Sequence, residues 1–201
     1  MGAPTERAGG GELAAIERIR TLLPGPPAGE TWIGDDAAVV AGPDGPLLLA
    51  ADLVVAGVHA DLDLVSLDDL GWKALAVNVS DLAAMGGHPL HALVSVAGPP
   101  TTDLDALYRG LAGAAAEWSC PVVGGDLANA PVLVVAVSVT GTTVGGRPAV
   151  LRSGARPGDT LFVTGPLGSS AAGLAALREA RSDPIGWALA EAHRRPRARV
   201  G

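Results

Sequence analysis

The chain has 201 residues, 48% of them apolar and 17% charged, which is enough for a packed core and excludes a largely disordered polypeptide. A net charge of -7 with one lysine, Lys73, excludes a nucleic-acid surface, since neutralising phosphates requires clustered cations. The lone cysteine, Cys120, rules out an intramolecular disulfide and a Cys-rich zinc site, and every apolar stretch is broken before membrane-spanning length, so the reading is a cytoplasmic protein.

Residues 1–10 read as a flexible leader. Leu13, Ile16, Ile19 and Leu23 then fall at helical spacing and predict a helix over 12–23, stopped by Pro24. Residues 37–40 and 47–55 read as strands of a hairpin about the turn sequence Gly42-Pro43-Asp44-Gly45. Ser66, followed three residues later by Asp69, predicts a helix cap, and the apolar pattern over 67–85 predicts the longest helix, ended by Gly86-Gly87. There follow a strand over 91–97, an amphipathic helix over 103–118, a short buried strand over 121–123 ending in Gly124-Gly125-Asp126, and a long strand over 132–140. Such an order predicts an α/β layer, helices on a mixed sheet, in a first domain spanning 11–148. Beyond it, a strand over 160–164 and a helix from Gly168 to about Arg181 read as the start of a second α/β domain over 149–201, begun and not finished. The basic run from Arg194 to Arg199 reads as solvated.

Carboxylates form the clearest chemical constellation: Asp35, Asp36, Asp52, Asp81 and Asp126. Asp52 and Asp81 interrupt apolar stretches, where an ionised carboxylate is costly unless paired or bound to a cation. With one lysine in the chain, a cation is the cheaper answer, and oxygen donors without a His or Cys cluster favour Mg2+ or Ca2+. Read singly, Asp36 can equally cap a turn and Asp81 a helix face. Gly124-Gly125 and residues 165–170 offer backbone N–H groups to a phosphate, although glycine pairs also mark ordinary turns. Neither G-x-x-x-x-G-K-[ST] nor a dinucleotide G-x-G-x-x-G is present. His59 reads either as a substrate contact or as a plain loop histidine. His88, His91 and His193 read as structural, Cys120 as inert core, and Ser169 and Ser170 as lacking a His or Asp partner, so no nucleophile is assigned.

Gly34-Asp35-Asp36-Ala37-Ala38-Val39, Asp52-Leu53-Val54 leading to Gly57-Val58-His59, and Trp72 through Gly86 together resemble the thiamine-monophosphate kinase family. Gly124-Gly125-Asp126, Leu151-Arg152-Ser153-Gly154 and Ser170-Ala171-Ala172-Gly173-Leu174 continue the resemblance in order. That family belongs to the aminoimidazole-ribonucleotide synthetase superfamily. The resemblance implies an amino-terminal domain of mixed sheet with helices on one face, paired into a homodimer through its sheet, with ATP bound near that interface. It implies transfer of the ATP γ-phosphate to thiamine monophosphate, giving thiamine diphosphate without a covalent intermediate. Asp36, Asp52, Asp81 and Asp126 would hold Mg2+, Gly125, Asp126 and Arg152 would contact ATP, and His59 would contact the thiamine phosphate. Two departures stand out. Members usually carry Ser-Thr where this chain has Ala50-Ala51, and an aromatic residue where it has Ala60. They keep two alternatives in view: another ATP-using enzyme of the superfamily, or a non-catalytic nucleotide-binding paralogue.

Overall fold

A computed structural model describes residues 12–33, 37–40 and 42–200. In chain order these form α1 (Glu12–Leu22), β1 (Leu47–Val55), α2 (Leu67–Ala84), β2 (Gly87–Gly98), α3 (Leu104–Glu117), β3 (Val122–Asn129), β4 (Val134–Thr143), α4 (Ser169–Arg178) and α5 (Pro184–Arg194). The four strands make one sheet in the order β1-β4-β2-β3. β4 runs antiparallel to both β1 and β2, while β2 and β3 are parallel, so the sheet is mixed as expected.

Alternation along the strands decides which face is covered. Val135, Val137 and Val139 of β4 and Ala92, Val94 and Val96 of β2 are buried against α2 and α3. On the other face Leu49, Leu53 and Leu93 are 71%, 45% and 46% exposed, so the helices occupy one side only. α2 is started by Ser66, whose Oγ accepts from the Asp69 N–H at 3.1 Å and donates to Asp69 Oδ2 at 2.8 Å. It ends where Gly86 takes a φ of 71°, a left-handed turn that glycine adopts without penalty. α3 is capped by Asp103, whose Oδ1 accepts from the Ala106 N–H at 2.9 Å. The two helices cross at glycines: a Cβ on Gly110 would lie 1.7 Å from the Asp68 carbonyl oxygen, and one on Gly71 would lie 2.1 Å from that of Leu107. α1 packs beside α3, with Arg18 Nε donating to Asp105 Oδ1 at 3.2 Å.

Four expectations are corrected. The hairpin over 37–40 and 47–55 does not form: Val39 is bridged to Thr31, and β1 takes its partner from β4, because only a long apolar strand satisfies its backbone along nine residues. The Gly124-Gly125 pair lies inside β3 and not beyond a strand end, since a bulge at Val123 lets the strand continue to Asn129. No strand forms over 160–164, where Leu161 and Phe162 lie exposed with nothing to pair against among the described residues. The basic run over 194–199, read as solvated, is so only in part: Arg197 and Arg199 are exposed, while Arg194 and Arg195 are half-buried at the end of α5, a helix outside the expected set that is started by Asp183 and Pro184.

That segment is docked. After α5, residues 195–200 cross α2 and α3 as a strap. Arg195 Nε donates to Asp69 Oδ1 at 2.7 Å, its NH2 reaches Asp68, and its guanidinium stacks 5.3 Å from the centre of the Trp72 ring. Trp72 Nε1 donates to the Pro196 carbonyl at 2.9 Å and Trp118 Nε1 to that of Ala198 at 3.2 Å. Arg194 donates to the Leu64 carbonyl, Arg197 to Glu117 and Arg199 to Thr164. Counter-charges on α2 and α3 meet Arg195 and Arg197, and these lie far from the run in sequence.

Candidate functional site

Asp52 and Asp81 meet at the edge where α2 overlies β1. Together with Ala76, Val77, Ser80, Pro196, Arg197 and Ala198 they line a cavity of about 260 Å³, roofed in part by the strap. Asp52 follows the helix-facing alternation of β1, since it pairs across the sheet with buried Val137. Its Oδ1 accepts the N–H of Leu53 at 2.7 Å. Asp81 sits in the last turn of α2, one residue after Ser80, and both are exposed toward the cavity. Every donor side chain on the wall other than Arg197 is an oxygen group, which suits a hard cation that keeps part of its water shell. No group of three or more His, Cys, Asp or Glu side chains comes together among the described residues, and this cavity brings together two carboxylates.

Asp126 is placed elsewhere. It pairs with Ser95 on the open face of the sheet, and its Oδ1 accepts the N–H of Leu127 at 2.9 Å. One cross-strand row runs Asp52, Val137, Val94, Gly125, so Asp52 and Gly125 are three strand spacings apart, roughly 14 Å. Asp126 is one residue further on, at the opposite edge and opposite face. Gly125 has a structural reason to be glycine: a Cβ there would lie 1.8 Å from the Val94 carbonyl oxygen. Asp36 lies outside the described residues, as does Asp35. The segment before them is held to the sheet, with Trp32 Nε1 donating to Glu30 Oε2 at 2.7 Å and that oxygen 4.0 Å from His91 Nε2. Arg152 occupies an exposed bend, and its segment is tied back to the end of α2 where the Val150 N–H donates to the Met85 carbonyl at 2.9 Å.

His59 stands in the turn after β1, opened by Gly57 at a φ of 80°. Its Nδ1 accepts the Val55 N–H at 3.1 Å, which leaves the proton of the neutral ring on Nε2. Lys73 Nζ donates to the His59 carbonyl at 3.2 Å. Burial pushes the Lys73 ammonium below the ordinary lysine range. Beyond the same turn lies the larger cavity, about 670 Å³, lined on one side by Ala56 and Gly57 and on the other by Pro99, Thr102 and Pro131. Two of its three carboxylates are in structural use, Asp61 accepting from the Asp63 N–H and Asp103 capping α3.

Ser170, read as partnerless, does have a histidine: its Oγ lies 3.1 Å from His193 Nδ1, which is also 3.1 Å from the Ser170 carbonyl oxygen. No carboxylate hydrogen-bonds that ring among the described residues. The pair braces α4 to α5, where Gly173 lets Leu189 approach so closely that a Cβ would sit 2.0 Å from its carbonyl oxygen. Its spacing of 23 residues carried no local signal. Cys120 is buried, and its thiol is pushed up to about 12 by desolvation, which matches an inert core role.

Residues 34–145 match the AIR synthase related protein, N-terminal domain family, and the chain belongs to that family. Within it, the chain is similar to thiamine-monophosphate kinases. It is 42% identical to that of Bacillus subtilis over 181 residues, covering 85% of this chain and 55% of the relative. With that of Corynebacterium glutamicum it shares 37% over 180 residues, covering 87% and 54%. Among solved structures, AaThiL complexed with AMPPCP and TMP superposes with a TM-score of 0.73 at 39% identity, covering 84% of this chain and 55% of that one. The chain thus spans about half the length of the curated relatives it matches.

Proposed function

We propose that this chain carries the nucleotide and metal half of a thiamine-monophosphate kinase, which transfers the ATP γ-phosphate to thiamine monophosphate to give thiamine diphosphate. The observation that carries the reading is the cavity shared by Asp52, Ser80 and Asp81, built from segments distant in sequence and supplied almost wholly with oxygen donors. Its support from outside the chain is the 42% identity to a kinase of that name and the likeness to a complex holding AMPPCP and TMP.

Transfer in line between two phosphates needs orientation and charge neutralisation more than a protein nucleophile. Asp52 and Asp81 would hold Mg2+ together with Asp36, and a bound Mg2+ would neutralise the oxygens of the transferring phosphoryl group. Asp52 is kept in place by the Leu53 N–H, and Asp81 by a helix anchored at both ends. Gly125, Asp126 and Arg152 would contact ATP. Asp126 faces the open side of the sheet, and on that side we propose that a second copy packs, covering Leu49, Leu53 and Leu93. In such a homodimer Asp126 serves a site at the interface, not the cavity of its own chain. Placement in the cytoplasm follows from the same reading, as does the survival of a reduced, buried Cys120.

Phosphoryl transfer from ATP to thiamine monophosphate, assayed on the intact protein with and without Mg2+, tests the proposal. Thiamine diphosphate made only with Mg2+, and lost in Asp81→Asn, is the expected result. ATP binding without product favours the second reading, a nucleotide-binding paralogue, to which Ala50 and Ala51 point by removing two hydroxyls beside Asp52.

A further inference from the structure

The strap that crosses α2 and α3 is pinned on both sides of one residue. Trp72 Nε1 donates to the Pro196 carbonyl and Trp118 Nε1 to that of Ala198, so the backbone before and after Arg197 is fixed by an indole N–H. Two residues earlier Arg195 is paired with Asp68 and Asp69, and two residues later Arg199 donates to Thr164. Among the arginines of the strap it is Arg197 that lines the carboxylate cavity, beside Asp52, Ser80 and Asp81. A backbone so held keeps the guanidinium at the cavity rim and leaves the exposed side chain free to change rotamer.

An arginine is at odds with a cavity built only to hold a metal ion, because its charge opposes the cation that the carboxylates attract. Its hold outside the cavity is weak. Arg197 donates to Glu117, the last residue of α3, but the two side chains are 70% and 35% exposed, and a pair so solvated shifts an equilibrium by no more than about fivefold. Glu117 also stands at the C-terminal end of its helix, where the macrodipole disfavours a carboxylate. The charges on the cavity wall sum to minus one, from Asp52 and Asp81 against Arg197, and a divalent cation turns that sum to plus one. The filled cavity therefore takes an anion that the empty one repels, and at about 260 Å³ it has room for more than a bare ion.

We propose that Arg197 leaves Glu117 to grip an oxygen of a metal-bound phosphate, so that the cation on Asp52 and Asp81 and the guanidinium on the strap close on one phosphoryl group from two sides. Glu117 holds the arginine in reserve until the metal arrives. The planar guanidinium offers parallel N–H donors to two oxygens of such a group. This rests on the proposed reaction only for the metal site. A nucleoside triphosphate and a phosphomonoester both present such oxygens, and the experiment separates the two sources.

On the intact protein, binding of Mn2+ is followed by electron paramagnetic resonance, and that of Mn·AMPPCP and of thiamine monophosphate with Mn2+ by calorimetry. Arg197→Gln should leave bare Mn2+ held as tightly or up to about threefold tighter, since a repelling charge is gone, and should weaken Mn·AMPPCP about tenfold or more. Arg197→Lys should recover part of that loss. Glu117→Gln, which frees the arginine, should tighten Mn·AMPPCP about two- to fivefold, and the gain should vanish when Arg197→Gln is added. If the loss falls instead on thiamine monophosphate, the grip stands and the acceptor is its source. Parallel losses of bare Mn2+ and of both phosphates would mark a merely structural arginine and overturn the proposal. Unchanged binding of both phosphates in Arg197→Gln overturns it as well, as does a responding phosphate that Glu117→Gln weakens. The kinase reading fails separately, if the intact protein makes no thiamine diphosphate while Mn·AMPPCP still depends on Arg197.

Discussion

Gly110→Ala tests how the two central helices are set. An ideal Cβ at position 110 would lie 1.7 Å from the Asp68 oxygen and 2.6 Å from the Asp68 carbonyl carbon, whereas a carbon approaches a carbonyl oxygen to about 3.4 Å. The obstacle is backbone and cannot swing aside, so α3 must move off α2 by roughly 1.7 Å at the crossing. That separation loosens Leu107 and Leu111 from the core and carries Trp118 away from Trp72, whose ring centres are 5.1 Å apart. Overpacking of this kind costs about 3 kcal/mol, and the better helix propensity of alanine returns about 1 kcal/mol, leaving a net loss of about 2 kcal/mol. With a urea dependence of about 2 kcal/mol per molar, the unfolding midpoint should fall by about 1 M, followed by tryptophan fluorescence. Gly113→Ala is the control. Its Cβ would meet only the Trp72 ring at 3.8 Å, so the same chemical change three residues on should be neutral or stabilise by up to about 1 kcal/mol. Equal midpoints for the two variants would refute the close crossing.

Three further outcomes are expected. The Asp69 carboxyl is held below its usual range although burial works against this, because its hydrogen bonds from Arg195 and Ser66 outweigh desolvation. A depressed folded pKa contributes stability that is complete above the unfolded value and is lost as pH falls through the folded one. Arg195→Met should therefore cost about 1–2 kcal/mol at neutral pH, a gap that closes below about pH 4 in urea titrations at stepped pH. Cys120, its thiol pushed up to about 12, should resist disulfide reagents at pH 8 in the native protein and react at once in urea, as followed by thiol release. Asp81→Asn should weaken Mn2+ binding at the carboxylate cavity tenfold or more by electron paramagnetic resonance, roughly the loss of one charged ligand, while Asp126→Asn should leave that ion bound.

Much of the frame was legible in local pattern. α2 and its limits could be read because Ser66 and Gly86 mark the ends chemically and the apolar period runs between them. The mixed sheet followed from alternation and strand order. Where the reading failed, the deciding partner lay far off. Residues 37–40 have the composition of a strand, but β1 gained more from the long β4, so nearness in sequence did not decide the pairing. Arg195 and Arg197 look solvated until α2 and α3 bring Asp68, Asp69 and Glu117 to them.

By itself the sequence determined which residues have chemistry to offer: aspartates in apolar settings, one lysine, one histidine after a glycine turn. Tertiary structure alone decided which of them act together. Asp52 and Asp81, 29 positions apart, share a cavity because α2 overlies β1, while Asp126 is carried to the far edge and the other face because β4 and β2 intervene. A strand's alternation assigns a side chain to one of two faces, but only the pairing order says how far that face is from any other residue.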